Sequence, residues 1–167
     1  MSVRYRTTTE PARSGWALAF WIGICLAAGG IGSFFTFDAV RTWYPTLQKP
    51  EWNPPAWVFG PVWSTLYVLM GIAAWRVSGQ KGRAEVRPAL RLFGLQLLLN
   101  AAWSGLFFGL RAPGWAFLEL LLLWAGILAT LLQFRRLDRL AAWLLAPYLA
   151  WVTFAGFLNF TIWRLNS

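Results

Sequence analysis

The chain has 167 residues, 58% apolar and 13% charged, with a formal net charge of +9, no histidine and one cysteine. Soluble domains run at roughly 45–50% apolar and about 25% charged residues, so this balance excludes an ordinary soluble domain. Without histidine the chain lacks the commonest metal ligand, the usual haem ligand and the usual general base, and its lone Cys25 can close no intramolecular disulfide.

Residues 1–15 (MSVRYRTTTEPARSG) are polar and basic, and are expected to form a flexible cytoplasmic tail. The remainder, 16–167, reads as one membrane domain. Five apolar blocks, about 16–37, 57–77, 90–110, 114–134 and 140–163, reach the roughly 17–25 residues that cross a hydrocarbon core. The first is longer than the roughly 7–15 residues of a signal-peptide core, so it is read as a retained span. The first loop, at about 38–56, is the only long connection. The second, around QKGRAEVRP (80–88), is basic; the third is little more than Arg111–Ala112–Pro113; the fourth is RRLDR (135–139). Short links force antiparallel neighbours. The predicted fold is an all-α integral membrane protein, five transmembrane helices in an up-and-down bundle with a structured first loop as lid. An odd number of spans, with no matching halves, weighs against an inverted-repeat transporter.

Charge sets the orientation. The N-terminus, second loop and fourth loop share one side, with eleven cations: Arg4, Arg6, Arg13, Arg76, Lys81, Arg83, Arg87, Arg91, Arg135, Arg136 and Arg139. The other side has four, Arg41, Lys49, Arg111 and Arg164. The positive-inside bias puts the N-terminus in the cytoplasm and the C-terminus outside. The chain is expected to be a multi-pass protein of a bacterial inner membrane. The same count explains the basicity as topology, and no nucleic-acid partner is expected.

Lipid is as apolar as leucine, so inward faces are marked by polar residues, small residues and prolines inside spans. Span two places Trp63, Tyr67 and Met70/Gly71 on one stripe, and span three places Gln96, Asn100 and Trp103 on another. In span five Trp143, Pro147, Trp151 and Ala155 follow a four-residue step, with Asn159 one turn further. Trp63 and Trp151 are either core packing or the walls of a ligand site. Gln96 and Asn100 either tie helices together or donate to a ligand. Glu119, in FLELLLLW, is either a partnered structural carboxyl or a functional acid. A kink at Pro147 would widen a cavity. Trp16, Trp115 and Trp163 sit near span ends and read as interfacial belt. Ala101, Gly105 and Gly109 give span three a small face, suited to a homodimer or to close packing within one bundle. Gly23, Ala27, Ala28 and Gly32 of span one compete for that role.

Tryptophan and proline are densest in WYPTLQKPEWNPPAWVFGPVWSTLYVLMG (43–71) and APYLAWVTFAGFLNFTIWRLN (146–166), with GLQLLLNAAWSGLFFG (94–109) and GWAFLEL (114–120) between them. On these stretches the chain resembles the translocator protein / tryptophan-rich sensory protein family (TspO/MBR), over roughly residues 16–166. The resemblance implies a five-helix bundle, often a homodimer, around a pocket for porphyrins. In some members it also implies cholesterol and benzodiazepine-type or isoquinoline drugs. Bacterial members are linked to tetrapyrrole regulation, and some degrade protoporphyrin with light and oxygen. The pocket residues carried over are Trp43, Tyr44, Trp52, Trp63, Asn100, Trp103, Trp151 and Ala155; an acid at the position of Glu119 is common in the family. The cholesterol-recognition pattern is incomplete, because Phe160 stands between Leu158 and Arg164 where tyrosine is required, so sterol is not an expected ligand.

A porphyrin is a flat π-system with two propionates, and its site needs aromatic faces, apolar walls, and a cation or amide donors. Trp63, Trp151, Trp52 and Tyr44 could supply faces, with Tyr67 on the Trp63 stripe. Asn100 and Gln96 could supply donors, and Arg41 or Lys49 could meet a propionate. Pro45, Pro50, Pro54 and Pro55 fix φ in the first loop, which is expected to hold Trp43, Tyr44 and Trp52 over the mouth. No metal and no required cofactor is expected; the partners are porphyrin or another flat apolar ligand, membrane lipid and a second copy of the chain. No nucleophile, base and orienter can be assembled. Any turnover would therefore fall to a photoexcited porphyrin beside Trp63 and Trp151. The favoured reading is a membrane receptor or sensor for porphyrins (protoporphyrin or haem) that regulates tetrapyrrole metabolism. The alternatives are a light- and oxygen-dependent porphyrin-degrading enzyme in the same pocket, and a transporter of tetrapyrroles or lipids resting on Glu119.

Overall fold

The computed structural model describes residues 15–80 and 82–167. Its elements in chain order are α1 (Gly15–Thr42), a 3-10 turn (Tyr44–Thr46), α2 (Ala56–Ser78), α3 (Val86–Ser104) continuing as a π-helical turn (Gly105–Gly109), α4 (Pro113–Leu137) and α5 (Arg139–Leu165). All five helices are long and apolar enough to cross a membrane, and the chain is an all-α, multi-pass membrane bundle. The predicted tail lies, apart from Gly15, outside the described residues.

The spans fall where expected, but α1 runs past its predicted end at 37 to Thr42. A helix need not stop where the hydrocarbon does. Asp38 and Arg41 are exposed on its final turns, and a cation there suits the carbonyl end of the helix dipole. Pro113 opens α4, where its missing N–H costs nothing. Arg111, at φ 51°, makes the left-handed turn before it. Asp138 separates α4 from α5 and caps the latter: its Oδ1 accepts from the amides of Leu140 (2.9 Å) and Ala141 (3.1 Å). Its Oδ2 meets the Arg76 guanidinium at 2.8 Å, tying the end of α2 to this corner. Burial acts to raise the Asp138 pKa, but the hydrogen bond from Arg76, the two amides and the Arg76 charge together hold it below its ordinary value.

The helices close a ring in the order α1, α2, α5, α4, α3 and back to α1. Short links suggest that every consecutive pair should be neighbours, and α2 and α3 break that expectation by meeting only across the interior. Small residues explain the exception, because they let α1 and α3 approach. A Cβ at Gly32 would stand 3.0 Å from the Ser104 hydroxyl, and one at Gly109 would stand 3.1 Å from the Phe35 ring. The α1–α2 seam is tighter still. A Cβ at Gly71 would lie 2.6 Å from the Ile22 Cα, and one at Gly29 would run into the Tyr67 ring. One half of the ring is solid: Met70, Ala73, Ala74 and Val77 of α2, Phe93 of α3, Phe134 of α4 and Leu145 of α5 are all fully buried. In the other half, on the side of the first and third loops, the helices part around a cavity.

Candidate functional site: an aromatic cavity between the helices

The cavity measures about 570 Å³, within the range of roughly 300–1,000 Å³ usual for small-molecule sites. Its floor is a hydrogen-bonded chain joining three helices. Tyr67 of α2 donates to Asn100 Oδ1 of α3 (2.7 Å), and Asn100 Nδ2 donates to the Tyr148 hydroxyl of α5 (3.1 Å). All three side chains are buried. Asn100 is therefore a helix tie, and the second hydrogen of its amide nitrogen is left over for a ligand, since Asn100 also lines the cavity.

Nine aromatic side chains stand in the walls. Trp63 stacks on Tyr67 with ring centres 5.5 Å apart, and Trp103 stacks on Phe107 at 5.1 Å. Phe59 meets Trp151 edge-on at 5.8 Å, and Trp63 meets Tyr148 edge-on at 6.2 Å. Trp103 Nε1 donates to Asn159 Oδ1 (3.0 Å), whose Nδ2 donates to the Pro113 carbonyl (2.8 Å). That indole offers the cavity its face, with its N–H already used. Ala155 opposes these rings with a small side chain, and Arg41 is the only charged lining residue among those described. Its guanidinium lies 4.1 Å from the centre of the Phe37 ring.

Sequence patterning missed two walls, and the π-helical turn bears on the second, Phe108. Phe107 lies seven residues after Asn100 and on its face, whereas a residue one further diverges by about 100° on an α-helix. Here the Leu110 amide bonds the Gly105 carbonyl at 2.8 Å, a five-residue step, and Phe107 and Phe108 both line the cavity. Apart from Arg41, the contribution of α1 was also missed, including Gly29, Ser33, Thr36, Phe37 and Val40. The signal was present in GGIGSFFTF (29–37), a run of small and hydroxyl residues inside a span.

The first loop is fixed by side chains bonding to backbone. Lys49 Nζ donates to the carbonyls of Tyr44 (2.8 Å) and Leu47 (2.7 Å) and sits 5.0 Å from the centre of the Tyr44 ring. Tyr44 donates to Asn53 Oδ1 at 2.7 Å. Burial pushes its phenol up, and the bond to Asn53 acts the other way. At the far end of α5, Asn166 accepts from the Gln48 amide (3.0 Å) and donates to the Gln48 carbonyl (2.9 Å). Trp52 packs edge-on against Phe154 at 5.8 Å, and Trp43 against Phe107 at 5.7 Å.

Of the residues singled out from sequence, Arg41, Tyr44, Trp63, Tyr67, Asn100, Trp103, Trp151 and Ala155 line the cavity together. Trp43 and Trp52 do not; they brace the rings behind the wall. Lys49 is occupied within its own loop. Gln96 packs on α4 beside Gly126, with both amide atoms buried and lacking a hydrogen-bond partner among the described residues. Glu119 likewise lies outside the lining, both carboxylate oxygens buried without a partner among those residues. Trp143 and Pro147 are exposed. A strict four-residue step advances about 40° per repeat on a helix of 3.6 residues per turn, so the α5 stripe reaches the cavity only from Trp151 onward. On α3, Gly109 is covered by Phe35, whereas a Cβ at Gly105 would meet nothing within 4 Å.

The family model for the TspO/MBR family matches residues 21–164. The tryptophan-rich protein TspO of Chlorobaculum tepidum is 47% identical over 150 residues, covering 89% of this chain and 95% of that protein. Protein CrtK of Rhodobacter capsulatus is 42% identical over 149 residues, covering 89% and 91%. The translocator protein of Bos taurus is 41% identical over 156 residues, covering 91% and 92%. With the fold, the aromatic cavity and these relatives in agreement along the chain, it belongs to the TspO/MBR family.

Proposed function

We propose that the chain is a membrane receptor or sensor that binds porphyrins in the aromatic cavity and regulates tetrapyrrole metabolism. The observation that carries this reading is the lining itself: stacked tryptophan, tyrosine and phenylalanine rings, with Arg41 as the one charged group. Such walls suit a flat π-system, and a lone cation at their edge suits a carboxylate. A sensing role is supported by a relative, the tryptophan-rich sensory protein of Cereibacter sphaeroides, 39% identical over 152 residues. The cation asymmetry supports a cytoplasmic N-terminal side, as in a bacterial inner-membrane protein. The first loop, clasped to α5 through Gln48 and Asn166, serves as the lid. A homodimer would use the α3 face around Ala101 and Gly105, since Gly109 is filled by Phe35 within the chain.

Titration of the purified chain with protoporphyrin in darkness, followed by tryptophan quenching, tests the reading. Saturable one-to-one quenching is expected. Arg41→Gln should weaken protoporphyrin about tenfold while leaving its dimethyl ester unaffected. Quenching that never saturates would end the proposal. Light-driven degradation in the same pocket is the second reading, favoured by the presence of both Trp63 and Trp151 on its walls. Replacing both with Phe should preserve binding and abolish the loss of porphyrin absorbance under illumination; loss at the wild-type rate would clear those indoles of the role.

A further inference from the structure

We infer that ligand enters this cavity sideways from the bilayer, through a gap between α1 and α2. The inference rests on the ligand-binding reading above. The two helices touch at Ile22–Gly71 and at Gly29–Tyr67. Beyond those contacts, toward the end of α1 and the start of α2, the facing residues are Gly30, Ser33 and Phe37 against Gly60 and Ser64. Each of the five lines the cavity and is also exposed. Ser33 lies about three turns from Ile22 on the same helix face, and Gly60 lies about three turns from Gly71. The faces that meet lower down are therefore the ones that part higher up. The gap is open space: a Cβ at Gly30 or Gly60 would meet nothing within 4 Å.

Direct contacts brace the other helix pairs around the cavity. Phe59–Trp151 and Trp63–Tyr148 seal α2 against α5. Gly32–Ser104 and Gly109–Phe35 seal α1 against α3. The loop is clasped to α5 by Gln48 and Asn166 and pinned by Trp52 on Phe154. Gly29 and Tyr67 stand near the middles of their helices, so the gap spans the apolar depth of one leaflet. The Ser33 hydroxyl is turned back onto the Gly29 carbonyl at 2.9 Å, so a passing apolar body meets no unpaired donor there. Arg41 and Phe37 mark the aqueous end of the gap. The ligand class admitted is an amphiphile whose apolar body travels in the membrane while its anionic end stays at the surface beside Arg41.

Stopped-flow quenching with the full chain in lipid nanodiscs, mixed with vesicles preloaded with protoporphyrin, tests this. Gly30→Phe with Gly60→Phe should slow association by about tenfold and slow dissociation as well. Gly23→Phe, one residue past Ile22 and two turns short of Gly30, with equally open space around it, should keep wild-type rates. Asn166→Ala, which frees the loop, should keep them too. An unchanged association rate in the double variant overturns the portal, as does faster association in Asn166→Ala. Should the double variant lose binding, Gly30→Phe alone decides by the same criterion. Absence of saturable quenching in the wild-type chain would strike the ligand reading instead, and the portal with it.

Discussion

Asn100→Leu removes the centre of the three-helix tie while keeping a side chain of similar branching. Two hydrogen bonds go, at 2.7 and 3.1 Å, and the hydroxyls of Tyr67 and Tyr148 are left without that partner in a buried site. Interhelical hydrogen bonds in membranes average about 0.6 kcal/mol and reach about 1.7, and each stranded buried hydroxyl adds a desolvation cost of about 1 kcal/mol or more. The expected loss is about 2–3 kcal/mol for Asn100→Leu, against about 1 kcal/mol for Tyr67→Phe or Tyr148→Phe alone. The sharper test is non-additivity. With all three substitutions no donor is left stranded, so the triple variant should be about 1 kcal/mol more stable than Asn100→Leu alone. Unfolding in mixed micelles, followed by tryptophan fluorescence and repeated for each corner of the cycle, measures these differences. Strictly additive losses would refute the tie and leave Asn100 as a residue that merely faces the cavity.

Gly71→Val should cost several kcal/mol or prevent folding, because its side chain would collide with Ile22 backbone rather than with a movable side chain; a normally folded variant with wild-type unfolding would show that α1 and α2 are further apart than described. Asp138 is held below its ordinary pKa in the folded chain, so its contribution to stability is complete above the unfolded value of about 4 and is lost as pH falls through the folded value. Asp138→Asn keeps an N-cap acceptor but removes the Arg76 pair; its deficit against wild type should be clear at neutral pH and vanish in acid, and a deficit independent of pH would assign it to the cap alone. Asn166→Ala should raise hydrogen exchange at the Gln48 amide, read by mass spectrometry over the first loop, while exchange in α2 stays unchanged. Protection that persists at Gln48 would mean the Asn166 clasp is not what fixes the loop.

Span existence was legible because it depends on run length alone: a stretch such as 114–134 admits no other reading. The ring order was not. Nothing in the length of the second loop says that α2 and α3 sit apart, since that follows from Gly32 and Gly109 letting α1 slip against α3. The cavity was half legible. Trp63, Tyr67, Asn100, Trp103 and Trp151 share helical stripes that patterning can follow. Phe107, seven residues after Asn100, continues that stripe and was overlooked, whereas Phe108 escaped because a π-helical turn breaks the 3.6-residue period on which patterning rests. Gln96 misled because it sits one turn before Asn100, so period alone gives it the same direction. What separates them is the neighbour each meets, Gly126 of α4 for one and two tyrosine hydroxyls for the other. Lys49 misled for a different reason: a proline-rich loop leaves carbonyls without amide partners, and the nearest ammonium takes them.

The ring order also bears on how the molecule is assembled. The fifth helix, α5, wedges between α2 and α4, and it supplies Tyr148 and Asn159 to the two polar networks as well as Trp151 to the wall. Four helices emerging in order can bring α1 against α2 and α3, and α3 against α4, but they leave an open horseshoe in which Asn100 has Tyr67 and lacks Tyr148. Only the arrival of α5 converts that horseshoe into a vessel, and Asn166 then fastens it from the outside. For the same reason a fusion joined directly after Asn166 would load the fastening itself, whereas the N-terminal side of α1 stands clear of it.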